Sequence, residues 1–239
     1  METQMTFKRY ELKYILTKNQ YVELKEIMQE YMCLDQFGKH TIRTIYLDTQ
    51  DHRLIRHSIE KPTYKEKLRV RAYGDIQKED DVFIELKKKY EGVVYKRRIS
   101  VPQEQAVNYL ENHVPLAQKN QITREIDYFI KYYEGLKPSM LLSYDREAFF
   151  GLEDVNFRMT FDQNVLSRED HLSLLEEVYG DELLPEDTVL LEVKTTYGLP
   201  SWLLHFFSSH QLYKTSFSKY GTAYKKVLFP KIQGGDLNV

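Results

Sequence analysis

Apolar and polar residues alternate at period two in eight stretches of the chain. They are FKRYELKYIL (7–16), TIRTIYLDT (41–49), YKEKLRVRAYG (64–74), VFIELKKKY (82–90), VVYKRRISV (93–101), MLLSYDREAFF (140–150), FRMTFDQNV (157–165) and VLLEVKTT (189–196). Frequent β-branched and aromatic residues within them predict strands. Eight strands are enough to close a barrel. Between them the apolar spacing becomes helical. Tyr21, Leu24, Ile27, Met28 and Tyr31 share a stripe over 18–32, entered by a capping box of Thr17 and Gln20. Ile122, Ile126, Phe129, Ile130 and Tyr133 do the same over 121–133. Shorter helices are predicted at 103–110 after Pro102, at 200–208 from Pro200, and at 218–227. The class is α+β, dominated by an antiparallel sheet.

The segments 82–90 and 93–101 are separated by Glu91-Gly92, and glycine takes the positive φ of a tight hairpin turn without strain. With those two as the loop, 90 pairs with 93, 88 with 95, 86 with 97 and 84 with 99. Ile84 then meets Ile99 and Val82 meets Val101 on one face. On the other, Lys87 meets Lys96 and Glu85 meets Arg98. A slip of one residue would mix the faces. Opposed lysines destabilise a sheet by roughly some tenths of a kcal/mol or more. Such a face makes sense with an anion lying across it.

The same charged face recurs. Residues 64–74 place Lys65, Lys67, Arg69 and Arg71 at every second position. Arg9, Glu11 and Lys13 share a face of the first strand, Arg158 and Asp162 one of 157–165, Glu192 and Lys194 one of 189–196. Tyr144, Arg146 and Ala148 share a face of 140–150. A row of charge on one strand is ordinarily its solvent face, and alternating cations also guard exposed edges. A solvent face predicts mixed signs, whereas these rows hold roughly three cations per acid in at least five strands. The economical assembly turns the charged faces inward around a lumen and sets the helices outside, which strengthens the field within. The acids admit two readings. Glu11, Glu85 and Glu192 are structural partners of Arg and Lys, or one or two of them hold a hard divalent cation, which prefers carboxylate oxygen and substrate phosphate. Glu192 is favoured as a ligand, because Leu190, Leu191 and Val193 around it make it costly to bury.

Composition sharpens this picture. The 239 residues are 42% hydrophobic and 29% charged, with a net charge of −2, so any strong positive field must be local. General nucleic-acid or membrane-surface binding would call for a basic balance. Nineteen tyrosines permit base stacking in single-stranded nucleic-acid binding, but the balance of charge does not favour it. Cys33 is the only cysteine, which excludes an intrachain disulfide and a thiolate metal cluster, and it is expected as a buried small residue on a helix. The seven histidines never fall at HxxxH or HExxH spacing, which argues against a zinc site. The N-terminus lacks the apolar core of a signal peptide and no run of about 18 apolar residues occurs, which predicts a cytoplasmic chain without a membrane segment. With no repeat or flexible linker, a single domain over 1–239 is expected, and the acidic stretch 167–187 reads as an insertion between elements.

RYELKY resembles the first-strand motif of the CYTH/triphosphate tunnel metalloenzyme superfamily, with Arg9–Glu11–Lys13 in place of Glu–Glu–Lys. KLRVRAYG (67–74), FIELKKKYEGVVYKRR (83–98), SYDREAF (143–149), FRMTFD (157–162) and LLEVK (190–194) resemble, in order, the VTC domain. That is the catalytic domain of the vacuolar transporter chaperone polyphosphate polymerase and its bacterial relatives. The similarity runs over about residues 6–227. It implies an antiparallel eight-stranded β-tunnel with helices outside, and transfer of phosphate from ATP to a growing polyphosphate with Mn²⁺ or Mg²⁺. The family's phosphate-contacting cations fall on Arg69, Arg71, Lys87, Arg146 and Arg158, and on Lys13, Lys96 or Arg98. Lys67 is placed with the phosphate-binding set, at one end of its row. The metal glutamate falls on Glu192, with Glu11 beside it as a second candidate, and the C-terminal lysine on Lys219. Ser216 stands where relatives often carry another lysine. The partners implied are ATP and inorganic polyphosphate, with no nucleic acid. The phosphate-sensing domain and membrane segments of the eukaryotic polymerase do not occur in this chain, so coupled export is not implied, and a membrane or operon-encoded partner is left open. A triphosphatase and a non-catalytic polyphosphate-binding module are the competing functions.

Overall fold

The computed structural model describes residues 10–91 and 93–231. Arg9, the start of the first predicted strand and the turn residue Gly92 lie outside the described residues. The chain divides into two compact units. The first takes residues 10–40, 144–165 and 184–217, the second 41–143, 166–183 and 218–231.

In the first unit, β1 (Tyr10–Thr17) pairs antiparallel with β10 (Thr188–Thr195), and β10 with β8 (Arg158–Arg168). β8 neighbours β7 (Lys137–Gly151), whose end pairs with β2 (Met32–Leu34). Helix α1 (Lys18–Met28) begins at the expected capping box, with Thr17 and Gln20 each bonded to the other's backbone N–H. Leu24 and Met28 of α1 pack on Tyr14, Leu16, Phe161, Leu191 and Val193, with Leu203, Phe206 and Phe207 of α5 (Ser201–Ser209) completing that core. Period two decides which residues enter it. Leu191 and Val193 point into the core, so Glu192 and Lys194 must point to the other face.

In the second unit the strand order is β7, β3 (His40–Asp48), β4 (Tyr64–Tyr73), β5 (Asp81–Tyr90) and β6 (Val93–Pro102). The hairpin register is the one turn chemistry predicts: Tyr90 faces Val93, Ile84 faces Ile99, and Lys87 faces Lys96. Glu91 takes a positive φ of 47° at the turn. Leu68, Val70, Ala72, Ile84, Leu86 and Ile99 form the apolar face. Helices α3 (Gln103–Glu111) and α4 (Gln121–Tyr132) cover it through Ala106, Leu110, Ile126 and Phe129. The predicted 218–227 helix is α6 (Lys219–Ala223), continued by a π-helical turn.

Three short elements escape the periodicity: β2, β9 (Asp181–Glu182, paired with β8) and α2 (Arg53–Ile59). Helix α2 is started by the buried carboxylate of Asp48, which accepts from the backbone N–H groups of Leu54 and Ile55. The acidic stretch is tied down from within, because Arg168 donates to the carbonyls of His171, Ser173 and Glu177 while Leu174 joins the core. Cys33 corrects an expectation. Helix α1 stops at Met28, and alternation along β2 buries Met32 while leaving Cys33 exposed on a strand. The strand orders end at β1 and β6, so the sheet is open by its pairing and the tunnel closure expected from the sequence is not established by it. Among the described residues, no helix is long and apolar enough to cross a membrane.

Candidate functional site

Each unit carries a cluster of charge on the sheet face opposite its core. In the second unit the centre is Glu85 of β5, fully buried. Its carboxylate accepts from Arg69 Nε at 2.8 Å and lies 2.7 Å from Arg69 Nη2, 2.5 Å from Lys96 Nζ and 3.9 Å from Arg71 Nε. Burial alone would raise the Glu85 carboxyl, but Arg69, Arg71 and Lys96 outweigh it and hold it at about 2. Lys65 and Lys67 of β4 face Lys89 and Lys87 of β5, and Lys87 also faces Lys96. Lys65 donates to the Ser58 carbonyl. Arg98 lies opposite Glu85 in register, with its guanidinium 4.6 Å from the centre of the Phe83 ring. Two further acids of this face are spoken for: Asp48 starts α2, and Asp81 accepts from Ser100. One acid therefore serves a face of at least six cations, and the excess positive charge is an invitation to a polyanion.

Three residues of this cluster were not among the sequence candidates. Thr44 Oγ1 accepts from Arg71 Nε at 3.3 Å. Tyr46, beside Arg69 in register, accepts from Arg69 Nη1 at 3.0 Å. The Tyr46 ring stacks on Tyr220 of α6 with centroids 4.5 Å apart, and Lys67 Nζ lies 5.8 Å from the Tyr220 ring centre. Lys219, the first residue of α6 and the chain neighbour of Tyr220, is half-buried. Alternation does place Thr44 and Tyr46 on one face of TIRTIYLDT, but neither carries charge, so the charge pattern passed over them.

In the first unit the cluster is close to balanced. Arg146 grips buried Asp162 with two hydrogen bonds of 2.6 and 2.7 Å, and its Nη2 is 3.4 Å from Glu192. Lys13 Nζ is 3.1 Å from Glu192 Oε1 and 3.4 Å from Glu11 Oε1, and donates to the Phe217 carbonyl. Lys194 Nζ lies 3.7 Å from Glu192 Oε2, and its own burial lowers its pKa against the pull of that glutamate. Glu11, Lys13, Arg146 and Glu192 are thus brought together, along with Asp162 and Lys194. Arg158 stands apart: it opens β8 opposite Lys194 and is exposed.

Glu11 and Glu192 converge on one lysine, and together they supply the one or two carboxylates that a Mg²⁺-like ion takes beside substrate phosphates. Among the described residues no group of three or more acids, histidines or cysteines could hold an ion unaided. The donor set therefore fits a divalent ion that arrives with phosphate.

The family described as the VTC domain matches residues 8–228. No curated protein sequence matches the chain. HpAC1 from Hippeastrum, a candidate adenylyl cyclase with a dominant triphosphatase activity, is similar in structure. Its TM-score is 0.57 at 16% identity, over 90% of this chain and 94% of that one. A candidate adenylate cyclase from Bacillus halodurans has a TM-score of 0.52 at 14% identity, over 87% and 92%. At such identities the likeness is one of fold.

Proposed function

The chain belongs to the VTC domain family, and from that premise we propose that it transfers the γ-phosphate of ATP to the end of a growing inorganic polyphosphate. The observation that carries this reading is the cation face of β4–β6, gathered about the single buried carboxylate of Glu85. Phosphoryl transfer asks for positioning and charge neutralisation and for little covalent work by the protein. Arg69 and Arg71 offer forked contacts to phosphate oxygens, and Lys67, Lys87, Lys96 and Lys219 add point charge. Glu85 holds Arg69 and Lys96 in place before substrate arrives, so less ordering remains to be done on binding. Arg98 adds charge at the margin of the second unit's cluster, and Arg158 at the margin of the first unit's.

In the first unit Arg146, braced by Asp162, and Lys13 bind phosphate oxygens, while Glu192 and Glu11 would hold Mn²⁺ or Mg²⁺. A divalent ion there supplies neutralisation of the charge gathering on the leaving ADP. The acceptor is the terminal phosphate of the polymer, a nucleophile at neutral pH, so no histidine base is required. Closure of the sheet into a tunnel belongs to the same proposal and rests on family membership.

The test is incubation of purified protein with ATP and Mn²⁺, with and without short polyphosphate, and separation of the products on a gel. Lengthening chains are expected, and Arg69→Ala should abolish them. Orthophosphate without lengthening would establish a triphosphatase instead. ATP untouched with every metal, or wild-type turnover in Arg69→Ala, would overturn the assignment.

A further inference from the structure

Tyr46 stands out among the groups around the cation row. Its ring is buried between Arg69, whose guanidinium lies 5.8 Å from the ring centre, and Tyr220 stacked at 4.5 Å. Its hydroxyl accepts from Arg69, a group that can only donate, and among the described residues it donates to no acceptor. The charged groups facing it from β4 are Lys67, Arg69 and Arg71. Tyr220 from α6 turns its hydroxyl away, to Asp48 and to Ser139 of β7. Glu85 of β5 is engaged by Arg69, Arg71 and Lys96. A phenol so placed breaks no hydrogen bond by giving up its proton, and three cationic neighbours stand against the cost of burying the phenolate.

We propose that Tyr46 is a positioning residue that exchanges one proton with solvent as phosphate comes and goes. In the empty site it releases its phenolic proton to water, and the phenolate offsets the charge of Arg69 and Lys67. When a phosphate chain supplies that negative charge, Tyr46 takes one proton back, becomes a neutral phenol, and leaves the Arg69 fork to the ligand. This rests on the reading that the β4 cations hold phosphate. The electrostatics agree: burial would raise the phenol, but Arg69, Lys67 and Arg71 bring it down to about 7, and burial with neighbouring cations lowers Lys67 to about 8.

The experiment measures affinity for inorganic tripolyphosphate, without metal, by calorimetry from pH 6 to 8 on wild type and Tyr46→Phe. Protons exchanged by the ligand are common to both proteins. Because the Tyr46 phenolate also raises Lys67, the same pair is measured in a Lys67→Met background, where the difference isolates Tyr46. Wild type should lose about tenfold more affinity than the variant between pH 6 and 8, as linkage to one group titrating near 7 requires. A merely structural role for the hydroxyl would weaken binding at every pH alike. In parallel, tyrosinate absorbance of unliganded wild type should show one phenol ionising near pH 7, moved to higher pH by tripolyphosphate. That measurement needs no variant. Binding with identical pH profiles in the two proteins, or no phenol ionising below about pH 9, would overturn the proposal and leave the phosphate-binding reading standing. Failure of tripolyphosphate to bind either protein would overturn both.

Discussion

Replacing Glu85 by glutamine removes the one negative charge at the centre of the β4–β6 cation face while keeping the volume of the side chain. Glu85 is fully buried, and its carboxyl is held at about 2 against an ordinary 4.5. Each pKa unit corresponds to about 1.4 kcal/mol, so the charged form is favoured in the fold by about 3 kcal/mol. That agrees with the roughly 3–5 kcal/mol typical of breaking a buried ion pair. Glu85→Gln should therefore lose about 3 kcal/mol at pH 7, or about 6–12 °C of melting temperature for a chain of this size. The pH dependence has a definite sign. The folded-state pKa is depressed, so the stabilisation is fully present above about 4.5 and is lost as pH falls toward 2. The variant should lack that acid-side loss. A bound polyanion restores the missing charge, so tripolyphosphate should raise the melting temperature of Glu85→Gln more than that of wild type. The assay is thermal and urea denaturation with and without tripolyphosphate, at pH 7 and along an acid series. A variant within about 1 kcal/mol of wild type, with an equal ligand shift, would refute the account of Glu85 as the anchor of this face.

Asp162→Asn should cost about 3 kcal/mol in urea denaturation, since the amide removes the charge and one of the two oxygens that accept from Arg146 and sets a donor against its guanidinium. Thr17→Ala removes the hydroxyl that accepts from the Gln20 N–H, leaving the reciprocal bond from the residue-17 N–H to Gln20, and should lower stability by about 1 kcal/mol, read the same way. Glu91→Asn places a residue tolerant of left-handed backbone at φ 47° and should raise stability by about 0.5 kcal/mol; a loss would contradict the strained turn. Glu192→Gln should raise the Mn²⁺ concentration for half-maximal turnover by about tenfold or more, and Mn²⁺ alone, without nucleotide, should bind weakly to wild type in calorimetry.

Much of this protein is written in local periodicity. Alternation assigned Leu68, Val70, Ile84 and Ile99 to the core and Arg69, Arg71, Glu85 and Lys96 to the other face, because a pleated strand leaves each side chain only two directions. The turn Glu91-Gly92 fixed the register of β5 and β6, since a slip of one would have buried charge. The Thr17–Gln20 box set the start of α1 within four residues of chain. What the alternation could not supply was which distant strands meet. That β10 lies between β1 and β8, so that Lys13 and Arg146 both reach Glu192, depends on pairing across well over a hundred residues. Asp48 starting α2, the exposed Cys33 and the stack of Tyr46 on Tyr220 are likewise tertiary. A strand's own pattern tells which face a residue takes, but the partner it finds there is chosen by the packing of the whole chain. The sequence thus determined that a row of cations exists and which way it points. The tertiary structure decided that Glu85 neutralises part of it and that Tyr46 lies against Arg69, because burial and distance, not spacing, set the strength of charge on charge.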